Sequence, residues 1–232
     1  MGINPIKAVL FDSGDTLLEP AGGAWWPRPA MLDVLNRSGS RVEPDELSAA
    51  LERGMEFLDT HHHVETEDEE ITQFREYYAI VFGELHLATA SDTIEKLARA
   101  EVFELGQTPF ADTRDTLEEL RRAGLRLGIV SNAWPSLERT YRMLDLRKFF
   151  DAFVISSKLG CLKPDPRIYR VAIEQIGIEP ESILFVDDDP EYVSAAKSMG
   201  MRGAIMRRGT SDSCVDGTVA NLAELTALIR TR

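Results

Sequence analysis

Several polar side chains with the chemistry of a catalytic site follow short apolar segments in this sequence. They are Asp12, the pair Ser131-Asn132, Lys163, and the pair Asp187-Asp188. Short apolar runs bounded by polar residues are typical of strands that are buried on both faces of a parallel sheet. The carboxyl ends of parallel strands share one edge of the sheet, where ligands bind in open α/β folds. We therefore expect these side chains to meet in one crevice, although a polar turn at 12–16 is the alternative interpretation of the first segment.

The three carboxylates would repel one another in such a crevice. Crowding raises the pKa of a carboxyl group unless a cation is nearby, and Mg²⁺ binds to a few carboxylates together with phosphate oxygens. A phosphoryl group bound to this ion on one side would meet Lys163, Ser131 and the backbone amides after Asn132 on the other. Asp12 would then attack phosphorus as a carboxylate nucleophile. The residues therefore predict Mg²⁺ as the cofactor and a small phosphorylated molecule as the substrate.

Other polar residues are better explained by structure than by catalysis. Asp165 and Asp189 each precede a proline at a predicted helix start, which is typical of an N-cap. The acidic run at 65–70 predicts a solvated helix face. The histidines at 61–63 are adjacent, so on a helix they would point about 100° apart, and we do not expect them to bind a metal.

Four segments together resemble the motifs of the haloacid dehalogenase (HAD) superfamily, which consists mostly of phosphatases. The segments are 11–17 (FDSGDTL), 129–132 (IVSN), 163–166 (KPDP) and 185–188 (FVDD). Each motif is weak alone, but four in this order at strand ends are a specific signal. The resemblance implies that Asp12 is the nucleophile and that Ser131 and Lys163 bind phosphate. It also implies that the metal ligands are the carboxylates of Asp12 and of Asp187 or Asp188, and the backbone carbonyl of Gly14.

One position departs from the first motif. Phosphatases of this superfamily usually carry a second aspartate two residues after the nucleophile, which protonates the leaving group and later activates water. Here that position is Gly14, and an aspartate follows at Asp15. General acid–base assistance typically contributes about 10²–10⁴-fold, so its loss should slow poor leaving groups most. We expect Gly14→Asp to raise the turnover of esters with poor leaving groups. We expect Asp15 to replace the missing acid only if the turn is rebuilt.

The elements that must position these residues form two groups. From residue 113 onward helices and strands alternate, which predicts an α/β fold, a Rossmann-like parallel sheet in a three-layer α/β/α core. The predicted strands are 8–11, 125–130, 152–155, 183–186 and 203–206, and the predicted helices of this part are 113–123, 135–144, 165–176, 190–199 and 221–229. Four further helices, 30–37, 45–60, 70–82 and 92–103, are bounded by links rich in helix breakers at 19–24 and 105–109. We predict a core domain of residues 1–19 and 109–232 with an inserted all-helical cap of residues 20–108, as the resemblance also implies.

The first link is followed by residues that could contact a substrate. Trp25, Trp26 and Arg28 are candidate substrate-binding residues, together with Asn132 after the second motif. The alternative for the tryptophans is that they anchor the cap by packing.

Charge and composition restrict the partners. The net charge is −13; residues 19–108 hold 19 acidic and 7 basic residues, whereas the rest holds 20 and 19. This acidity argues against nucleic acid or an anionic membrane as a partner and favours a neutral or cationic substrate. No apolar run approaches the roughly 20 residues of a membrane span, no secretory signal is recognisable, and the two cysteines, Cys161 and Cys214, suggest reduced thiols. We expect a soluble cytoplasmic protein; its oligomeric state is not predicted.

Other functions are compatible with the same residues. A 2-haloacid dehalogenase would also use Asp12 and needs no acid at Gly14, but it needs no metal, which leaves Asp187-Asp188 unexplained. A phosphonate-cleaving enzyme of the superfamily uses a cap lysine, whereas Lys96, late in the segment, is the only lysine of residues 19–108. A non-catalytic protein that binds a phosphorylated ligand would show binding without turnover.

Overall fold

The computed structural model describes residues 5–209 and 217–230 of the chain. In chain order the strands are β1 (Ala8–Phe11), β2 (Leu18–Pro20), β3 (Gln107–Pro109), β4 (Arg126–Ser131), β5 (Ala152–Ile155), β6 (Ile183–Asp187), β7 (Arg202–Met206) and β8 (Thr218–Val219). The α-helices are α1 (Pro29–Ser38), α2 (Pro44–Thr60), α3 (Glu67–Glu84), α4 (Ser91–Phe103), α5 (Thr113–Arg122), α6 (Leu137–Met143), α7 (Ser156–Leu159), α8 (Pro166–Ile176), α9 (Pro190–Ser198) and α10 (Leu222–Arg230). Cys161 is a buried free thiol, and Cys214 lies outside the described residues.

A parallel sheet in the order β5-β4-β1-β6-β7-β8 forms the middle layer of the molecule. The central strand β1 is completely buried, with Val9 and Phe11 in the hydrophobic core on one face and Ala8 and Leu10 in the core on the other. Helices α5, α6 and α10 pack on the first face, and α8 and α9 pack on the second. The predicted α/β fold, with a parallel sheet between two helical layers, is confirmed.

Helices α1–α4 pack around a separate hydrophobic core, in which Tyr77, Tyr78 and Phe82 are among the largest buried side chains. Helix α2 approaches α3 closely at Gly54, where an added Cβ atom would lie 2.5 Å from the ring of Tyr77. Glycine is needed there because any side chain would separate the two helices.

An antiparallel ribbon of β2 and β3 connects these helices to the sheet. Leu18 is paired with Pro109, and Pro20 with Gln107. The sequence predicts links here, since proline is depleted in strands, but both strands of a two-stranded ribbon are edges, where proline is tolerated. The predicted domain boundaries at 19/20 and 108/109 fall inside this ribbon and stay a prediction.

Most predicted elements lie where the sequence places them. The predicted core strands agree with the structure within one residue and the predicted helices within three, whereas the short elements β2, β3, β8 and α7 are not predicted. The largest difference is at α3, which begins at Glu67 because the side chains of Thr66 and Glu69 bond each other's backbone N–H in a capping box. Within residues 5–209 and 217–230, no helix is long and apolar enough to cross a membrane.

Candidate active site

Strand β1 places Asp12 in the middle of the sheet edge, between β4 and β6. Phe11 is the last residue of β1, and the N–H of Asp12 donates to the carbonyl of Val186 at 2.8 Å. Because β4 ends at Ser131 and β6 ends at Asp187, polar residues at the ends of three neighbouring strands lie side by side.

A buried lysine lies between two of the carboxylates. The Nζ atom of Lys163 donates to Oδ1 of Asp12 at 2.5 Å and to Oδ2 of Asp187 at 2.7 Å. Asp188 completes a cluster in which one oxygen from each of the three aspartates lies within 4.8 Å of the others. Lys163 is 3% exposed and Asp187 is 1% exposed, so solvent screens these charges weakly.

The pKa values show that one ammonium group does not balance three carboxylates. Burial, together with the charge of Asp12, raises the pKa of Asp187 to about 7 and that of Asp188 to about 6. Burial alone would lower the pKa of Lys163, but the charges of Asp12 and Asp187 outweigh it and raise the pKa. The cluster therefore holds an excess of negative charge around a protonated lysine.

The cluster fits a hard divalent cation. All three side chains offer oxygen ligands, which Mg²⁺ prefers, and Gly14, whose carbonyl is the fourth predicted ligand, borders the same cavity. The excess of negative charge would be offset by such an ion.

Asn132 holds the loop that carries the lysine. Its Oδ1 atom accepts from the N–H of Lys163 at 2.8 Å, and its Nδ2 atom donates to the carbonyl of Lys163 at 3.3 Å and to the hydroxyl of Tyr192 at 3.4 Å. The ammonium of Lys163 lies 4.9 Å from the centre of the Tyr192 ring. Asn132 was predicted to bind substrate, and it does border the cavity, but its hydrogen bonds position the lysine.

A cavity of about 690 Å³ lies between the sheet edge and the four-helix unit. Every predicted site residue borders it; these are Asp12, Gly14, Trp25, Trp26, Arg28, Ser131, Asn132, Lys163, Asp187 and Asp188. Trp26 packs 5.3 Å from Tyr77 and 6.1 Å from Phe74, which agrees with an anchoring role. Arg28 lies 5.0 Å from the Trp26 ring and pairs with Glu101 at 3.0 Å.

The aspartate that follows Gly14 does not face the cavity. The side chain of Asp15 is exposed and accepts a hydrogen bond from Nε1 of Trp25 at 2.8 Å. A Cβ atom at Gly14 would lie 3.0 Å from the Trp25 ring. This contact argues against the expectation for Gly14→Asp, because a side chain at position 14 would have to displace the ring of Trp25.

Glu70 corrects a second expectation. It was assigned to a solvated face, but it is 1% exposed, and it accepts from the N–H and the hydroxyl of Ser136 at 2.9 and 2.5 Å. Positions 70, 74 and 77 share one face of α3 (i, i+4, i+7), so Glu70 lies on the same buried stripe as Phe74 and Tyr77. The helical period of the sequence contained this signal.

The adjacent histidines have separate partners. Nε2 of His62 lies 2.6 Å from the hydroxyl of Ser156, and burial lowers its pKa; His63 pairs with Glu65. Among the described residues, the aspartate cluster alone has the composition and spacing of a metal site. Asp165 and Asp189 accept backbone N–H groups at the starts of α8 and α9, as expected for N-caps.

Some residues of the cavity wall are not recognisable from the sequence. Tyr192, Trp134 and Glu101 border the cavity, but each reaches it through contacts between distant segments. Only Trp134 carries a local signal, because it follows the second motif by two residues.

Known proteins resemble this chain, some over most of its length and others over less than half. The family model for haloacid dehalogenase-like hydrolases matches residues 6–200. A glyceraldehyde 3-phosphate phosphatase of Methanothermobacter thermautotrophicus is 29% identical over 96% of this chain and 95% of its own length. An (S)-2-haloacid dehalogenase of Pseudomonas putida is 32% identical over 76% of this chain and 69% of its own length. Three further phosphatase relatives align over 50%, 42% and 36% of their lengths, so the chain spans half or less of those proteins.

A solved structure shares the fold. The L-2-haloacid dehalogenase from Xanthobacter autotrophicus with chloropropionic acid covalently bound has a TM-score of 0.68 and 21% identity, with 97% of this chain and 98% of the other covered. This likeness shows the fold alone. The match of the family model, together with the four motifs at neighbouring strand ends, shows that the chain belongs to the haloacid dehalogenase-like hydrolase family.

Proposed function

We propose that the protein is a Mg²⁺-dependent hydrolase that cleaves a small phosphate monoester through a phosphorylated Asp12. The observation that carries this proposal is the imbalance of charge at the sheet edge, where three carboxylates meet the single ammonium of Lys163. A bound dication removes the imbalance, and a dehalogenase would not need one. The similarity to a glyceraldehyde 3-phosphate phosphatase over nearly the whole chain supports the same class.

In the proposed reaction, an oxygen of Asp12 attacks phosphorus and the bond to the ester oxygen breaks. Water then hydrolyses the phospho-aspartate. Lys163, which already contacts Asp12, orients the attacking carboxylate and offsets negative charge on the phosphoryl group. Ser131 borders the cavity beside Asp12 and would donate its hydroxyl to a phosphoryl oxygen.

The carboxylates of Asp12, Asp187 and Asp188 and the carbonyl of Gly14 would hold the Mg²⁺ ion. When bound, it supplies positive charge to the phosphoryl oxygens as the transition state forms. The cap of residues 20–108 would cover the cavity and exclude water. A volume of about 690 Å³ lies within the range of small-molecule sites, which supports a small phosphorylated metabolite as the substrate. The location in the cytoplasm stays a prediction from the sequence.

The test is phosphate release from a panel of monoesters, measured with Mg²⁺ and with EDTA. We expect turnover that depends on Mg²⁺ and that is lost in Asp12→Asn, which keeps the shape of the side chain but removes the nucleophile. Turnover that persists in EDTA or in Asp12→Asn would contradict the proposal.

Hydrolysis of a 2-halo acid is the second candidate. It is favoured by the absence of a carboxylate at Gly14 and by the identity to the haloacid dehalogenase of Pseudomonas putida. Chloride release from 2-chloropropionate in EDTA, with no phosphate release from any ester, would establish this alternative.

A further inference from the structure

Trp25 occupies the space beside Gly14, two residues from the nucleophile. A Cβ atom added to Gly14 would lie 3.0 Å from Cζ2 and 3.3 Å from Cη2 of the indole ring. The backbone itself does not require glycine, since Gly14 is not among the residues with positive φ. A larger residue at position 14 is therefore opposed by the ring of Trp25, which would have to shift by a few tenths of an ångström, and not by the chain conformation.

Asp15 fixes the position of this ring through the hydrogen bond from Nε1. Asp15 has a φ of 53°, a left-handed conformation that is unfavourable for most L-residues and that Asp and Asn adopt more readily than other side chains. Because its carboxylate is exposed and bonded to the indole, it does not serve the cavity as an acid. Gly14, Asp15 and Trp25 thus form one unit, and its indole ring borders the same cavity as Asp12.

The buried acids of the four-helix wall are held by other groups. Both oxygens of Glu70 accept hydrogen bonds from Ser136. The oxygens of Glu101 accept from Arg28 and from the hydroxyl of Tyr78. Neither carboxyl group is therefore directed by its bonds toward a leaving group at Asp12.

We infer that Trp25, held by Asp15, is a specificity-determining residue, and that the site selects aryl phosphate monoesters. The inference rests on the proposed function and names its substrate class. A planar phenol can pack against the indole ring as aromatic pairs do. A phenol has a pKa of about 10, as in tyrosine, so phenolate leaves without the proton that an alkoxide needs.

The reaction of such an ester balances without a general acid. Asp12 forms a bond to phosphorus, the bond between phosphorus and the phenolic oxygen breaks, and its electron pair leaves with phenolate. In the second step water adds its oxygen to phosphorus and the electron pair of the breaking bond returns to Asp12. One proton of the water stays on phosphate, and the other goes to solvent, where phenolate takes it up.

Three esters of similar size separate the effect of the leaving group from the effect of packing against the indole ring. Phenyl phosphate has a planar and good leaving group, benzyl phosphate a planar and poor one, and cyclohexyl phosphate a poor one that is not planar. The value of kcat/KM reports the first step, in which phospho-Asp12 forms. We expect kcat/KM for phenyl phosphate to exceed that for benzyl phosphate by at least about 10²-fold, which is the usual size of acid assistance. The value for benzyl phosphate should exceed that for cyclohexyl phosphate by about tenfold. Equal values for the three esters would overturn the inference while leaving the proposed function intact.

Variants test the unit itself. Trp25→Ala should lower kcat/KM for phenyl and benzyl phosphate about tenfold and that for cyclohexyl phosphate less than threefold. Asp15→Gly should lower the preference for the two planar esters over cyclohexyl phosphate in the same way. Asp15→Asn keeps both the left-handed conformation and an oxygen acceptor, so it should keep the wild-type preference. Selectivity that is unchanged in Trp25→Ala would overturn the inference.

Positions 14 and 25 should also be coupled. Gly14→Asp alone should lower the rate for all three esters, because the new side chain displaces the indole ring. In the double variant Gly14→Asp/Trp25→Ala the carboxylate has room, and the rates for benzyl and cyclohexyl phosphate should rise about 10²-fold above those of Trp25→Ala. Additive effects would argue against the coupling.

A binding measurement keeps the inference testable if no ester is hydrolysed, in which case the proposed function fails. Calorimetry with Mg²⁺ present would compare phenylphosphonate with cyclohexylphosphonate. The inference stands if phenylphosphonate binds about tenfold more tightly and the difference disappears in Trp25→Ala. Equal binding, or no binding of either compound, overturns it.

Discussion

Asn132 shows how a side chain can serve a site by holding the backbone of another residue. Its amide bonds the N–H and the carbonyl of Lys163, and Lys163 in turn bonds two carboxylates. The sequence indicated that Asn132 belongs to the site, because it follows a buried strand. It could not indicate the partner, which lies 31 positions away and is brought close because β4 pairs with β5, which leads through α7 into the loop of Lys163.

We expect Asn132→Ala to lower kcat by at least about tenfold with a smaller change in KM. The loss of two hydrogen bonds to the backbone of Lys163 displaces an ammonium group that must be correctly placed in the transition state. Steady-state kinetics on the best ester of the panel would measure this effect.

Asn221→Ala is the matched control. Asn221 accepts the N–H of Glu224 at the start of α10, so its loss should cost about 1 kcal/mol of stability and leave kcat unchanged. An equal loss of kcat in both variants would mean that Asn132 acts only through stability.

Helix α3 joins the two parts of the molecule at the level of elements. It carries Phe74 and Tyr77 into the core of the four-helix unit, and it carries Glu70 to the start of α6, where Ser136 binds it. The existence of α3 was predictable from its sequence. Its tertiary partner was not, because the helical period places Glu70 on the buried face but does not identify the helix start that it meets.

The burial of Glu70 should make this contact sensitive to pH. Burial raises its pKa from 4.5 to about 7, and the charges of Glu67 and Glu101 act in the same direction. The folded state therefore binds the proton more tightly than the unfolded state between pH 4.5 and pH 7. The free energy of unfolding should fall by about 3 kcal/mol through this group as the pH rises across that window.

Glu70→Gln removes this titration and keeps a side chain that can bond Ser136. The free energy of unfolding, measured with urea at pH 5 and at pH 8, should fall less between these two pH values in Glu70→Gln than in the wild type. Glu76→Gln, at an exposed position further along the same helix, should keep the wild-type difference. A difference between the two pH values that is unaltered by Glu70→Gln would show that Glu70 is not the titrating group.

At the scale of the whole molecule, the sheet edge was more predictable than the cavity above it. Local pattern determines that Asp12, Ser131 and Asp187 end buried strands, and parallel pairing then brings them together. The contact of Trp25 with Gly14 and the ribbon of β2 and β3 depend on how the four-helix unit sits over the sheet. No short-range pattern encodes that arrangement, so in the sequence the wall beside the nucleophile was visible only as the missing aspartate at Gly14.

The same cluster that serves the proposed chemistry should weaken the whole fold when no metal is bound. Burial and the charge of Asp12 raise the pKa of Asp188 to about 6, so the protein at pH 7.5 holds an ionised group that its surroundings disfavour. Because Asp188 is only half-buried, solvent screens part of this effect. We expect Asp188→Asn to stabilise the protein in EDTA by about 1 kcal/mol.

Melting temperatures measured with EDTA and with Mg²⁺ would test whether the cluster destabilises the protein when no metal is bound. Mg²⁺ should raise the melting temperature of the wild type, because it binds the folded state, and should raise that of Asp188→Asn much less. Asp145→Asn replaces an exposed aspartate outside the cluster, whose ion pairs lie at the surface, so it should change stability by less than about 0.5 kcal/mol and keep the full response to Mg²⁺. If Asp188→Asn were less stable than the wild type in EDTA, or responded fully to Mg²⁺, the aspartate cluster would be a structural network and not a metal site.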